Sequence, residues 1–371
     1  MDHGLFESVP NFSEGCRAEI IGELAGAASR AHVLDVDEDV DHNRAVITLA
    51  GLGRNVFDAL LASFEVAVDR IDLREHSGVH PRVGSADVIP VVPLHGASLD
   101  AARELARALG ERIWTETRVP VFFYGFGEQH TLADIRAGRV APSLGGPSLH
   151  PTAGAVCVGA RSALVAFNVL LQSIDMRAAR ALARSLRESN GGMRGVQALA
   201  FELPGGRVQL SMNLFRLEEA TPATVVAELD RRGIEVGSKQ VIGLCPAGVA
   251  NDAAAGRLLE ARLAAAAARR GAKLCAALGD DEHSKLAGRL EQTAVDLAGI
   301  GADQGEMLKG AEQALALVGV LRAGGVLGPE LQTMLTAAAE GLRGALDQET
   351  LTRHSRRISA LDLGLARGVP G

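Results

Sequence analysis

Up to about residue 250 this chain alternates short runs rich in Val, Ile and Thr with longer amphipathic stretches, and beyond it the strand-like runs stop. "HVLDVD" (32–37) and "RAVITLAG" (44–51) have the β-branched composition of strands, while "NVFDALLASFEVAVDRI" (55–71) puts Val56, Leu60, Phe64 and Val68 on one helical face. "ADVIPVVPL" and "VPVFFYGFG" read as buried strands, with "LDAARELARALGERI" as a helix between them. Such alternation predicts sheets with helices packed on them. After the loop "APSLGGPSLHPTAGA" (141–155), "VCVGA" and "ALVAFNVLL" resume the pattern, and a helix over 175–188 opens what reads as a second unit. There "VQALAFEL-PGG-RVQLSMNLF" predicts two strands around a tight turn, Thr221-Pro222 a helix start, and "IEVGSKQVIGLCP" a further strand. From Asn251 onward Ala, Leu, Glu, Arg and Gln dominate, which predicts a helical module. The expected division is 1–174, 175–250 and 251–371.

Composition narrows the class. The 371 residues, 47% apolar and 22% charged, are those of a globular protein. A net charge of −7 argues against a nucleic-acid partner. The start "MDHGLFESVPNFSEG" lacks the basic end and apolar run of a signal peptide, and no segment reaches the roughly 18 apolar residues of a membrane span. A cytoplasmic protein with no membrane partner is the expectation. Cys16, Cys157, Cys245 and Cys275 form no C-x-x-C pair, so reduced thiols are expected and neither a zinc ribbon nor a disulfide framework.

Chemistry concentrates in three places. In "HSGVHPRVG" (76–84) His76 and His80 stand four apart, the spacing of a helical zinc pair. Gly78 between them and Pro81 after His80 oppose a helix, and no glutamate is there to act as base. In "DVDEDVDHNR" (35–44) the spaced aspartates suggest calcium, but Val40 and Val46 occupy the places where an EF-hand needs Gly and Glu. Asp35 and Asp37 would point to one side of a strand. The Gly-rich stretch 145–154 lacks a Walker lysine and the Rossmann fingerprint, and no G-x-S-x-G elbow appears anywhere. What remains is a histidine in an extended segment beside Arg82, suited to proton transfer at neutral pH. Residue types and spacing alone leave the function open at this point.

Several motifs taken together carry a resemblance. "SVPNFSEG" (8–15), "LDVDEDVDHNRAVITLAG" (34–51), "HSGVHPRVGSADVIPVVPL" (76–94), "VPVFFYGFG" (119–127), "GGPSLHPTAGAVCVGARSALVAFNVLL" (145–171) and "VQALAFELPGGRVQLSMNLF" (196–215) stand in the order seen in glutamate formimidoyltransferases. The chain resembles the bacterial single-function type, itself similar to the N-terminal half of formimidoyltransferase-cyclodeaminase. The likeness runs over about residues 6–250. The "PGGGS" run of the cyclodeaminase half is absent, so deaminase activity is not carried over.

The resemblance implies an α/β fold of two α/β subdomains, each a mixed sheet covered by helices, followed here by the helical C-terminal module. It also implies a homodimer with folate in a tunnel between subdomains. The implied reaction moves the formimino group of N-formimino-L-glutamate to N5 of tetrahydrofolate, a co-substrate, without a metal, and releases L-glutamate. By the family's motifs His80 matches the proposed catalytic base and Asp37 the second aspartate of the family's "DVD". The folate loop is Gly145, Gly146, Pro147, Ser148, Leu149, His150, Pro151, Thr152, Ala153 and Gly154, with Ala153 where animal enzymes carry tryptophan. Chemically, the attacking nitrogen must lose a proton and the departing one must gain one, which one histidine can do in turn. Asp37 could hold the cationic amidine, and Arg44 and Arg82 could hold substrate carboxylates. Alternatives are a related folate-dependent formyl or one-carbon transferase and an inactive folate-binding scaffold. The module 251–371 is expected to serve packing or oligomerisation and to hold no catalytic residue.

Overall fold

The computed structural model describes residues 4–78, 82–126 and 131–346. The fold is mixed α/β, with two sheets covered by helices and a helical C-terminal region. The first sheet is built from β1 (Leu5–Ser8), β2 (Asn11–Phe12), β3 (His32–Asp39), β4 (Arg44–Leu52), β5 (Ala86–Pro93), β6 (Val121–Tyr124) and β7 (Val156–Ala160). β1 and β2 occupy one position, each pairing with both β4 and β5. Pro10 separates them because it has no N–H for the ladder, yet its carbonyl still accepts from Ile47 N (3.1 Å). β3 pairs with β4 at one end, and β5, β7 and β6 run parallel at the other.

Three helices, α1 (Ala18–Ala27), α2 (Gly53–Arg70) and α3 (Leu99–Thr117), bury one face of this sheet. Val56, Leu60 and Phe64 of α2 are buried as their spacing predicts, with Ala67 completing the stripe. The short α4 (Leu132–Arg136) covers the opposite face, where Ile135 packs with Val88, Phe122 and Cys157. Strands covered on both faces read as near-continuous apolar runs, as β7 does throughout and β5 does apart from Asp87. α2 begins without a side-chain cap of its own. Glu330 supplies one, its Oε1 accepting from Leu52 N (3.0 Å) and Asn55 Nδ2 (3.0 Å).

The second sheet, in order β11 (Val236–Ile242), β8 (Val165–Leu171), β10 (Arg207–Leu214) and β9 (Val196–Leu203), is antiparallel throughout. The chain changes sheet between Ala160 and Val165, ahead of residue 174, because "VAFNVLL" is an inner strand of this sheet. Gly205 and Gly206, both with positive φ (79° and 72°), make the β9–β10 turn. α5 (Met176–Leu186) and α6 (Pro222–Arg231) pack on one face only. α6 starts at the Thr221-Pro222 signal, with a capping box to Thr224. Val208, Leu210, Met212 and Leu214 go under the helices, and the alternate residues face the other way.

The chain divides into two compact units after Cys245, with Gly328–Met334 returning to the first. The helical region holds α7 (Leu259–Leu278), α8 (Asp281–Ala298), α9 (Gln304–Ala323) and α10 (Pro329–Gly344). Ala264 to Ala268 of α7 are all buried, so α7 is central to its unit and its small side chains let neighbours come close. At Gly271 an added Cβ would lie 2.4 Å from Leu321 Cδ2. On α8, Leu286, Leu290 and Leu297 are buried while Val295 faces outward. Among the described residues no helix is long and apolar enough to cross a membrane.

Candidate active site

The turn between β3 and β4 is where the sequence motifs meet. Asn43 takes a left-handed conformation there (φ 45°), which asparagine tolerates better than most residues. Its Oδ1 accepts from Gly15 N (2.9 Å), at the end of "SVPNFSEG", and its Nδ2 donates to Ser77 O (2.9 Å). Gly15 is required: a Cβ would lie 2.3 Å from Arg44 N and Asp39 O. Arg82 donates to the carbonyls of His42 (3.1 Å) and Asn43 (3.2 Å), and to His76 Nδ1 (2.8 Å). Burial, and next the Arg82 charge, hold His76 below the usual imidazole range. The turn and the histidine-bearing segment are therefore stitched together at their backbones.

Behind the turn lies a cluster of guanidinium groups. Asp87, buried on β5, accepts from Arg136 Nη2 (2.5 Å) and Val83 N (2.7 Å). Arg44 and Arg82 share its field. Burial pushes the Arg44 guanidinium down to about 10, with Asp87 and Asp39 supporting its charge and Arg136 and Arg82 opposing it. Three guanidinium groups against the carboxylates of Asp87 and Asp39 leave positive charge in excess. Nε of Arg136 is buried with no hydrogen-bond partner among the described residues. Guanidinium groups in such an excess can pair with a carboxylate in charge and in geometry.

On its other side the turn forms one wall of a cleft of about 330 Å³. Glu38, Asp39, Asp41 and His42 line this wall, and the helix-free face of the second sheet forms the opposite one, with Asn168, Leu170, Arg207, Gln209 and Gln240. A second hollow of about 410 Å³ shares Leu170, Arg207 and Ser238 with it. Arg207 closes one edge through an ion pair with Asp41 (2.7 Å). His42 meets Phe201 edge-on, with ring centroids 5.5 Å apart. Asn168 and Gln209 are buried, and Gln209 Oε1 has no donor among the described residues. A buried acceptor without a partner costs free energy, so this wall is preset for a ligand that brings an N–H.

Of the residues singled out in the sequence, His80 lies outside the described residues. Arg44 and Arg82 are brought together in the guanidinium cluster. Asp37, on the same strand as the acidic wall, accepts from the N–H of Gly243 just beyond β11. The loop 145–154 is exposed over Gly145–Leu149 and tied down at its far end. There Gly154 bridges to Gly84, and His150 Nδ1 accepts from Ala153 N (3.1 Å). Ala153 itself packs into the core of the first sheet. The close crossing explains both glycines: a Cβ on Gly84 would lie 1.7 Å from Ala155 O, and one on Gly154 2.2 Å from Val83 O. Sequence reading missed Asp39, His42, Asp87, Arg136 and the amides Asn168, Gln209 and Gln240. One signal was available, a charged Asp87 inside an otherwise apolar strand, which needs partners if buried.

Comparison with known proteins places the chain in a family. The formiminotransferase domain, N-terminal subdomain, matches residues 5–161. The chain is 34% identical over 267 residues to the glutamate formimidoyltransferase of Streptococcus pyogenes serotype M1, covering 66% of this chain and 89% of that one. It is 36% identical over 269 residues to that of Thermoplasma acidophilum, covering 65% and 88%. Against the formimidoyltransferase-cyclodeaminase of Rattus norvegicus it is 37% identical over 282 residues, which are 68% of this chain but 52% of the rat protein. This chain belongs to the glutamate formimidoyltransferase family, a family of transferases.

Proposed function

We propose that this chain transfers the formimino group of N-formimino-L-glutamate to N5 of tetrahydrofolate and releases L-glutamate, a step of histidine degradation. The observation that carries this reading is the division of charge around the β3–β4 turn. Carboxylates of Glu38, Asp39 and Asp41 face the cleft and suit a cationic amidine, while Arg44, Arg82 and Arg136 cluster behind the turn and suit carboxylates. The amides across the cleft suit the N–H-rich edge of a reduced pteridine.

In this reading N5 attacks the protonated amidine carbon and loses its proton to His80. The glutamate nitrogen gains a proton, and its bond to carbon breaks. Asp37 steadies the cationic amidine, Arg44 and Arg82 bind substrate carboxylates, and the loop Gly145–Gly154 contacts the folate. The family resemblance supports a homodimer with folate as its co-substrate, while the composition supports a cytoplasmic protein and an accessory role for the Ala- and Leu-rich helices after residue 250.

The test is glutamate release by the purified full chain from formiminoglutamate. Release that requires tetrahydrofolate is expected, with His80→Ala slower by about two to four orders of magnitude. Release without tetrahydrofolate, or equal use of formylglutamate, would overturn the proposal.

A further inference from the structure

The reaction needs two proton movements at two different nitrogens, and the described residues hold a second histidine placed for one of them. His42 is 6% exposed and lines the cleft. Asp39 grips it twice, with Oδ2 accepting from Nδ1 (2.8 Å) and Oδ1 from the backbone N (2.9 Å). Burial works against the Asp39 charge, but the hydrogen bonds from the His42 ring and backbone outweigh it and hold the carboxyl below its ordinary range. A carboxylate that takes Nδ1–H fixes the tautomer and leaves Nε2 as the nitrogen that exchanges protons. Phe201 from the second sheet holds the ring edge-on, so its tilt is set from both walls.

We propose that His42, oriented by Asp39, is the acid that protonates the departing glutamate nitrogen. This rests on the transferase reading. The steps balance: the C–N5 bond forms and N5 gives its proton to the base. His42 Nε2 gives a proton to the glutamate nitrogen, whose bond to carbon breaks, and the nitrogen left on that carbon donates its lone pair to restore the amidinium. Water then returns a proton to His42 and removes one from the base, so no proton is gained or lost overall.

The groups that set the field at His42 come from several elements. Glu38, Asp39 and Asp41 lie on its own hairpin, Arg44 follows on β4, Arg207 faces it from β10, and Arg82 donates to its carbonyl. The acidic members surround the cleft side, where a cationic acid and a cationic amidine both need support. Arg82 sits instead against His76.

The test uses His42→Asn in the full chain, since Asn can keep a donor toward Asp39 but carries no group that acts as an acid near neutral pH. The expected result is a kcat about 100-fold lower with KM for formiminoglutamate within about threefold. The alkaline limb of the pH–kcat profile should disappear. Should that variant not fold, His42→Ala supplies the readout, and added imidazole should restore part of its turnover. A folded variant that keeps kcat within threefold and both limbs of the profile overturns the inference alone, as does a crippled Ala variant that imidazole does not rescue. Wild-type protein that releases no glutamate with tetrahydrofolate overturns the transferase reading and this inference with it.

Discussion

The two sheets of the α/β unit are finished differently. The central strands of the first are covered on both faces, so that β5 and β7 are buried almost from end to end. The second is covered on one face by α5 and α6, and its other face carries amides toward the cleft. Charge follows the same division. The first sheet buries Asp87 with Arg44, Arg82 and Arg136 near it, whereas the cleft face of the second presents neutral Asn168, Gln209 and Gln240, with Arg207 at one edge. A buried ion cluster places charge rigidly but makes each member indispensable. Neutral amides can wait unsatisfied at lower cost, and a ligand then completes them.

That contrast can be broken most severely at Asp87. Asp87→Ala leaves buried guanidinium groups without their shared carboxylate, and stability should fall by about 3–5 kcal/mol in urea unfolding. A change within about 0.5 kcal/mol would mean that the cluster is solvated and carries no rigid excess of positive charge. The second sheet should behave in the opposite sense. Gln209→Leu removes an acceptor with no donor among the described residues, so the free protein should keep or gain stability. Its affinity for a tetrahydrofolate analogue should fall about tenfold, roughly 1.4 kcal/mol. Calorimetric titration beside a thermal melt reads both quantities, and unchanged affinity would remove Gln209 from the ligand wall.

The smallest effect concerns the distant cap on α2. Burial disfavours the Glu330 charge, but the neighbouring His32 ring and the hydrogen bonds from Leu52 N and Asn55 outweigh it and bring its carboxyl down to about 2. A carboxyl depressed by folding contributes stability above its unfolded value near 4.3, and that contribution disappears as pH falls toward 2. Glu330→Gln should cost about 1 kcal/mol at pH 7 and flatten the acid limb of the stability curve. Parallel acid limbs for wild type and variant would show that the cap carries no net charge effect.

Much of this fold was legible because its local signals agree with one another. β-branched runs became β3 and β4, the spaced apolar residues of 55–71 became the buried stripe of α2, and Thr221-Pro222 opened α6. β1 and β2 were not, since Pro10 cuts them into pieces too short to carry a period. The site was legible only in part. Arg44 and Arg82 stood out within motifs, but Arg136 and Asp87 come together through pairing and loop geometry that span 49 positions of sequence. Asn168 and Gln209 look like ordinary alternation until strand register turns both toward the cleft. Asp39 and His42 were in view within "DVDEDVDHNR". Their pairing depends on a turn that Asn43 and Gly15 hold from the far side.

The central claim is that substrates meet in the cleft between the acidic β3–β4 turn and the amide face of the second sheet. A crystal structure of the full chain with 5-formyl-tetrahydrofolate tests it most directly. The pteridine is expected between His42 and Gln209, with the Gln209 side-chain carbonyl accepting a pteridine N–H. A pteridine bound elsewhere, with these two side chains unmoved and untouched, would contradict it.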